Sequence, residues 1–187
     1  MLFACCYNQN MKNLPQNPKD TSWNSVARWY DELLKNDDSY QAKVILPNLL
    51  RILDLKKGEH ILDLACGQGY FANIFVRSGA KVIASDLSKK LIDIAKKNLS
   101  KEISFYNSPA HKSPFIKDAS LDIVAIVLAI QNIENINEVF VECKRILKQN
   151  GRTWSREVFE RWVRQSILKK TVEEFFREDI VKCFLFV

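Results

Sequence analysis

A stretch from His60 to Leu87, HILDLACGQGYFANIFVRSGAKVIASDL, constrains this chain more than any other. Ile61 to Leu64 form a short apolar run that carries one acid, Asp63, and stops at the small residues Ala65, Cys66 and Gly67. That is the order of a strand feeding a tight loop. The Gly67-Gln68-Gly69 turn lets backbone approach a ligand without a Cβ in the way. Tyr70 to Ser78 come next with helical spacing through Phe71, Ile74 and Phe75, and such a helix points its free N–H groups back at the loop. Gly79 is a natural C-terminal stop, after which Lys81 to Ser85 read as a second strand. Asp86, at its end, falls in the crevice outside the carboxyl ends of parallel strands, where such sheets bind ligands.

Two ligand classes use this plan. Gly67, Gly69 and Ala72 satisfy the dinucleotide pattern G-x-G-x-x-G/A, with Asp86 near the place of a ribose-binding acid, so a nicotinamide oxidoreductase is one reading. Asp63 argues against it, because a fixed carboxylate four residues ahead of the first glycine would repel a pyrophosphate and welcome an ammonium group. The stretch resembles motif I and the following acidic motif of class I, seven-strand S-adenosylmethionine-dependent methyltransferases. That resemblance implies that Asp63 faces the methionine ammonium of the cofactor and that the loop of Ala65, Gly67 and Gly69 passes under it. It further implies that Asp86 takes the ribose hydroxyls, with Leu87 beside the adenine.

The rest of the chain continues the resemblance over residues 22 to 152. Trp23, Val26, Ala27, Tyr30 and Leu33 or Leu34 recur at helical spacing. The segment VARWYDELL resembles the N-terminal helix that small-molecule methyltransferases fold over the cofactor, which makes Tyr30 either a cofactor contact or a core aromatic. A second helix covers Tyr40 to Leu55, with Ile45, Leu46, Leu49, Leu50 and Leu53 on one face and Pro47 as a kink or first-turn residue. Ser88 caps a helix through Asn98 that turns Leu91, Ile92 and Ala95 inward. Ile103 to Tyr106 make a third strand, and the β-α-β-α-β rhythm is that of a parallel sheet covered on both faces. In NSPAHKSPF, relatives place an adenine-binding acid where this chain has Pro109; the resemblance leaves Ala110 to contact adenine through its backbone. His111 reads as a solvated loop histidine.

Leu121 to Ile130 read as a strand buried on both faces, ending in Gln131 and Asn132. By resemblance, this strand end lies beside the transferring methyl, with Leu128 at the cofactor and Gln131 and Asn132 facing the acceptor. A helix from Asn135 or Asn137 to Leu147 buries Val139, Phe140, Cys143 and Ile146. KRILKQNG resembles the turn before the family's fifth strand, but the resemblance ends there. Residues 153 to 187 read as two helices, the second opened by a Thr171/Glu174 capping box. The expected fold is therefore α/β: a Rossmann-like three-layer sandwich with a mostly parallel sheet, incomplete at its C-terminal edge. Either the tail helices or a second subunit, in a homodimer through that edge, would cover it. The alternative is a tail foreign to the domain.

Residues 1 to 21 have no apolar periodicity and read as a loose tail, with translation starting at Met1 or Met11. A net charge of +6 comes from lysines in ones and twos, without the aromatic-basic stripe of a nucleic-acid binder. Five cysteines form no C-x-x-C pair, which indicates neither a metal site nor a disulfide framework and fits a reducing cytoplasm. The longest apolar run is too short to cross a bilayer. The expectation is a cytoplasmic enzyme that uses S-adenosyl-L-methionine to methylate a small-molecule acceptor, with no assignable catalytic base. Its rival is a catalytically inactive, cofactor-binding homologue that serves as an interaction protein.

Overall fold

The computed structural model describes Trp23, Ala27 and residues 41–149. Tyr30, most of the expected N-terminal helix, the 1–21 tail and the segment 153–187 lie outside the described residues. Four strands, β1 (His60–Leu64), β2 (Lys81–Asp86), β3 (Ser104–Asn107) and β4 (Ile123–Ala125), form one parallel sheet in the order β3-β2-β1-β4. Helices α1 (Leu46–Leu53), α2 (Tyr70–Arg77), α3 (Lys89–Asn98) and α4 (Ile136–Ile146) connect and cover them. Among the described residues, no helix is long and apolar enough to cross a membrane.

Strand alternation divides the core in two. Ile61, Val82, Ala84 and Ala125 face α1, α2 and α3, meeting Leu49, Phe75 and Ile92. Leu62, Leu64, Val124 and Ile126 face the other way, onto Val139, Phe140, Cys143 and Ile146 of α4. The buried faces expected for α3 and α4 are the ones found. Ser88 caps α3 as its sequence suggests, its hydroxyl accepting the Leu91 N–H at 3.2 Å. The helix expected over Tyr40–Leu55 is divided: Gln41–Ile45 form a π turn and the α-helix begins at Leu46. Pro47 explains the break, since its ring crowds the preceding turn and it has no N–H to give.

The expected strand from Leu121 to Ile130 is corrected to a ladder of three residues, Ile123–Ala125. Its partner β1 ends at Leu64, and Ala65 turns away in the left-handed region at φ 59°. Ile126 to Ile130 therefore run past the end of the sheet, with Leu128 also left-handed at φ 56°. On its outer side, Leu121 makes a parallel bridge with Leu147, where the chain leaves α4.

Gly69 has a packing role. It adopts φ +80° ahead of α2, and a Cβ there would stand 2.7 Å from Leu99 Cδ1 and 3.0 Å from Phe105 Cε1. Gly69→Ala is expected to lower stability by about 1–3 kcal/mol, through overpacking and backbone strain together. Urea unfolding of the two proteins measures it, and a loss below about 0.5 kcal/mol would mean that Leu99 and Phe105 yield freely.

Candidate active site

At the carboxyl ends of the strands, four pieces of chain face one another: the loop after β1, the end of β2, the loop after β3 and the run beyond β4. With Trp23 they enclose a cavity of about 180 Å³. Two carboxylates define its floor and one side.

Asp63, the fourth residue of the inner strand β1, lies opposite Ala84 of β2 and Ala125 of β4. Alanine on both sides leaves room at the carboxylate. The residue is 1% exposed, and its Oδ2 finds no hydrogen-bond partner among the described residues although it lines the cavity. Burial pushes its carboxyl up to about 8; the Ala72 N–H in the first turn of α2 works against that shift and the nearby Asp86 adds to it. A buried carboxylate with an open acceptor atom is a seat for a cationic hydrogen-bond donor.

Asp86 is differently placed, because both its oxygens are used. Oδ2 accepts the Gly67 N–H at 2.8 Å and Oδ1 accepts the Ser88 N–H at 2.7 Å. Burial raises this carboxyl and the two backbone donors draw it down. Asp86 thus fixes the glycine loop to the end of β2 while its outer edge lines the cavity. Between the two acids lies Cys66, whose thiol is pushed up first by burial and then by Asp63 and Asp86. It stays protonated at neutral pH and is no nucleophile. Among the described residues, no three His, Cys, Asp or Glu side chains could hold a metal.

The cavity brings together Asp63, Ala65, Gly67, Asp86, Leu87, Ala110, Leu128 and Asn132. Gly69 is not among the residues that line it, and a Cβ there would meet Leu99 and Phe105. Gln131 lies in the 3-10 turn Ile130–Asn132, and its side chain is outside the described part of the structure. Sequence reasoning missed Trp23, Cys66, Tyr70 and Glu134 as wall residues, and it placed His111 in solvent. His111 instead lines the cavity, its Nε2 3.8 Å from Glu138 Oε2 at the start of α4. No local signal could have found that pair, since the partner comes from a distant helix. Cys66 and Tyr70, flanking the glycine turn, were within reach of it.

Comparison with known proteins gives the context. Residues 62–155, half of the chain, match the methyltransferase domain family. A demethylmenaquinone methyltransferase of Lactococcus lactis is 33% identical over 159 residues, which take in 79% of this chain and 61% of that protein. An S-adenosylmethionine-dependent methyltransferase structure from Mesorhizobium loti aligns with a TM-score of 0.52 at 25% identity, over 60% of this chain and 50% of that one. The [4+2]-cyclase SpnF shares the fold at 18% identity, with a TM-score of 0.60 over 69% of this chain and 55% of that one. The chain spans between 39% and 70% of the length of the curated relatives compared with it.

Proposed function

Since the chain belongs to the methyltransferase domain family, we propose that it binds S-adenosyl-L-methionine in this cavity and transfers its methyl group to an uncharged small-molecule acceptor. The carrying observation is the orphaned Oδ2 of Asp63, buried at the floor of the cavity and open to a cation. When bound, the cofactor supplies an activated methyl on a sulfonium. Asp63 would hold its ammonium, Asp86 its ribose and the backbone at Ala110 its adenine, with Leu87 against the ring. Leu128 would lie at the cofactor, and Asn132, beyond the end of β4, where the acceptor would approach.

The chain's own task is positioning and the exclusion of water. A reactant held at attack distance gains an effective molarity of about 10⁵ M or more, which supplies much of the barrier reduction for an in-line transfer. Val127, Leu128, Ala129 and Ile133 make the acceptor side apolar, and no Lys or Arg stands among the described residues of the cavity wall. Among the described residues, an acceptor with a phosphate or carboxylate at the reacting end would meet no Lys or Arg there and only the imidazole of His111. Curated relatives named demethylmenaquinone methyltransferases support a quinone-type ring as the acceptor class.

Thermal unfolding of the whole chain with S-adenosylhomocysteine, and with NAD and NADP as controls, tests the cofactor. Ligand at 100 times its dissociation constant adds about 2.7 kcal/mol, roughly 5 to 11 °C for a chain of this size. A shift with S-adenosylhomocysteine alone is the expected result, and a cooperative transition that ignores it would overturn the reading.

A further inference from the structure

We propose that a polar stripe on α4, Glu138, Glu142 and Arg145, is a positioning device that sets the cavity wall formed by the loop after β3. The proposal rests on the reading of the cavity as a cofactor site. Spacings of four and three residues place the three side chains on one face of α4. The opposite face, Val139, Phe140, Cys143 and Ile146, is sunk in the core. The stripe therefore stands on a helix anchored by its buried face.

What it grips is backbone. Glu142 Oε1 accepts the Ser113 N–H at 2.6 Å, while Arg145 donates Nη2 to the Ser113 carbonyl at 3.0 Å and Nη1 to the Ile116 carbonyl at 2.9 Å. The guanidinium is itself oriented by Glu142, at 2.7 and 2.8 Å, and by Asp118 at 2.5 Å. These groups serve a loop that has no strand neighbour there, so side chains do the work of a ladder. One turn up the helix, Glu138 faces His111 on the cavity wall itself. The other end of the loop is held separately, Ser108 N–H donating to the Asp86 carbonyl at 3.0 Å, while within the gripped stretch Phe115 stacks on Tyr106 with ring centres 3.8 Å apart.

Apolar packing would hold this loop near the sheet, but it is tolerant of small slides. Three directional bonds to the backbone of two residues, Ser113 and Ile116, are not. Since Ser108, Ala110 and His111 line the cavity only two to five residues before Ser113, a slip at the grip moves the wall. The function assigned to the stripe is thus cofactor affinity, beyond its contribution to stability.

Isothermal titration of S-adenosylhomocysteine, run well below the unfolding transition, tests the assignment. Arg145→Lys, which keeps the charge and loses the fork, and Glu142→Gln are each expected to raise the dissociation constant at least fivefold. Gly79→Ala provides a control that loses stability at the opposite rim, where φ is +88° and a Cβ would meet Lys57 Cγ at 3.2 Å; its affinity should match the parent's. Glu138 is 63% exposed in its side chain, so Glu138→Gln probes the stripe without risk to the fold and should raise the constant about twofold to threefold. Parent-like affinity in Arg145→Lys and Glu142→Gln overturns the proposal. A parent chain that bound no S-adenosylhomocysteine would overturn the cofactor reading, and the proposal with it.

Discussion

Asp63→Asn should unfold at a higher temperature than the parent at pH 8 and bind S-adenosylhomocysteine at least tenfold more weakly. Both effects come from one atom. In the unliganded fold, ionised Asp63 is a buried charge with an unused oxygen, and the interior resists it strongly enough to push the carboxyl up to about 8. In the unfolded chain the same group titrates near ~3.9. A carboxyl raised by folding leaves stability intact below the unfolded value and withdraws it as pH climbs through the folded one. The unliganded parent should therefore weaken between about pH 4 and pH 8, while Asp63→Asn should lose that part of the slope. A cationic ligand reverses the preference by giving Oδ2 a charged donor, worth about 1.5–3 kcal/mol, or one to two powers of ten in affinity. Binding near neutral pH should then release close to one proton, which titration calorimetry in buffers of different ionisation enthalpy measures. A variant with unchanged affinity would remove Asp63 from ammonium recognition, and a variant no more stable than the parent at pH 8 would mean that the buried charge is satisfied.

Asp86→Ala is expected to act on stability with the opposite sign, though it too should weaken binding at least tenfold. Its carboxylate holds the Gly67 and Ser88 N–H groups, so alanine leaves two inward backbone donors without their acceptor and frees the glycine loop. Each charge-assisted bond is worth about 1.5–3 kcal/mol, partly offset by relief from burying the carboxylate, and a net loss of about 2 kcal/mol is expected in urea unfolding. Asp86→Asn keeps one acceptor and should fall between. Were Asp86→Ala as stable as the parent, the loop would be held by other contacts, and the assignment of Asp86 as its anchor would fail.

The contrast between these two acids was only partly legible in the sequence. Their positions at the ends of adjacent strands come from local pattern: apolar runs, small residues, a glycine turn. What each oxygen meets does not. Asp63 is isolated because Ala84 and Ala125 flank it across two ladders, and Asp86 is engaged because the glycine loop folds back onto it. Features carried by periodicity, such as the Ser88 cap and the buried face of α4, could be read directly. Features set by a distant neighbour could not. The apolar run Leu121–Ile130 looks uniform, yet it leaves the sheet after Ala125 because β1 has ended. His111 is drawn to the cavity wall by a helix that begins 25 residues later, at Ile136. Gly69 looked like a ligand-approach residue, and the side chains of Leu99 and Phe105 give it another reason to be glycine.

The departure of the chain from the sheet after Ala125 bears on how such a protein can change over generations. The floor of the cavity is made of residues held in the strand ladder between buried neighbours. The walls beyond β3 and β4 are single runs of chain outside any ladder, and substitutions or insertions there leave the strands untouched. On the proposed reading, the run beyond β4 from Leu128 to Asn135 is the part of the wall that could change its acceptor contacts while the floor and the gripped loop after β3 are kept.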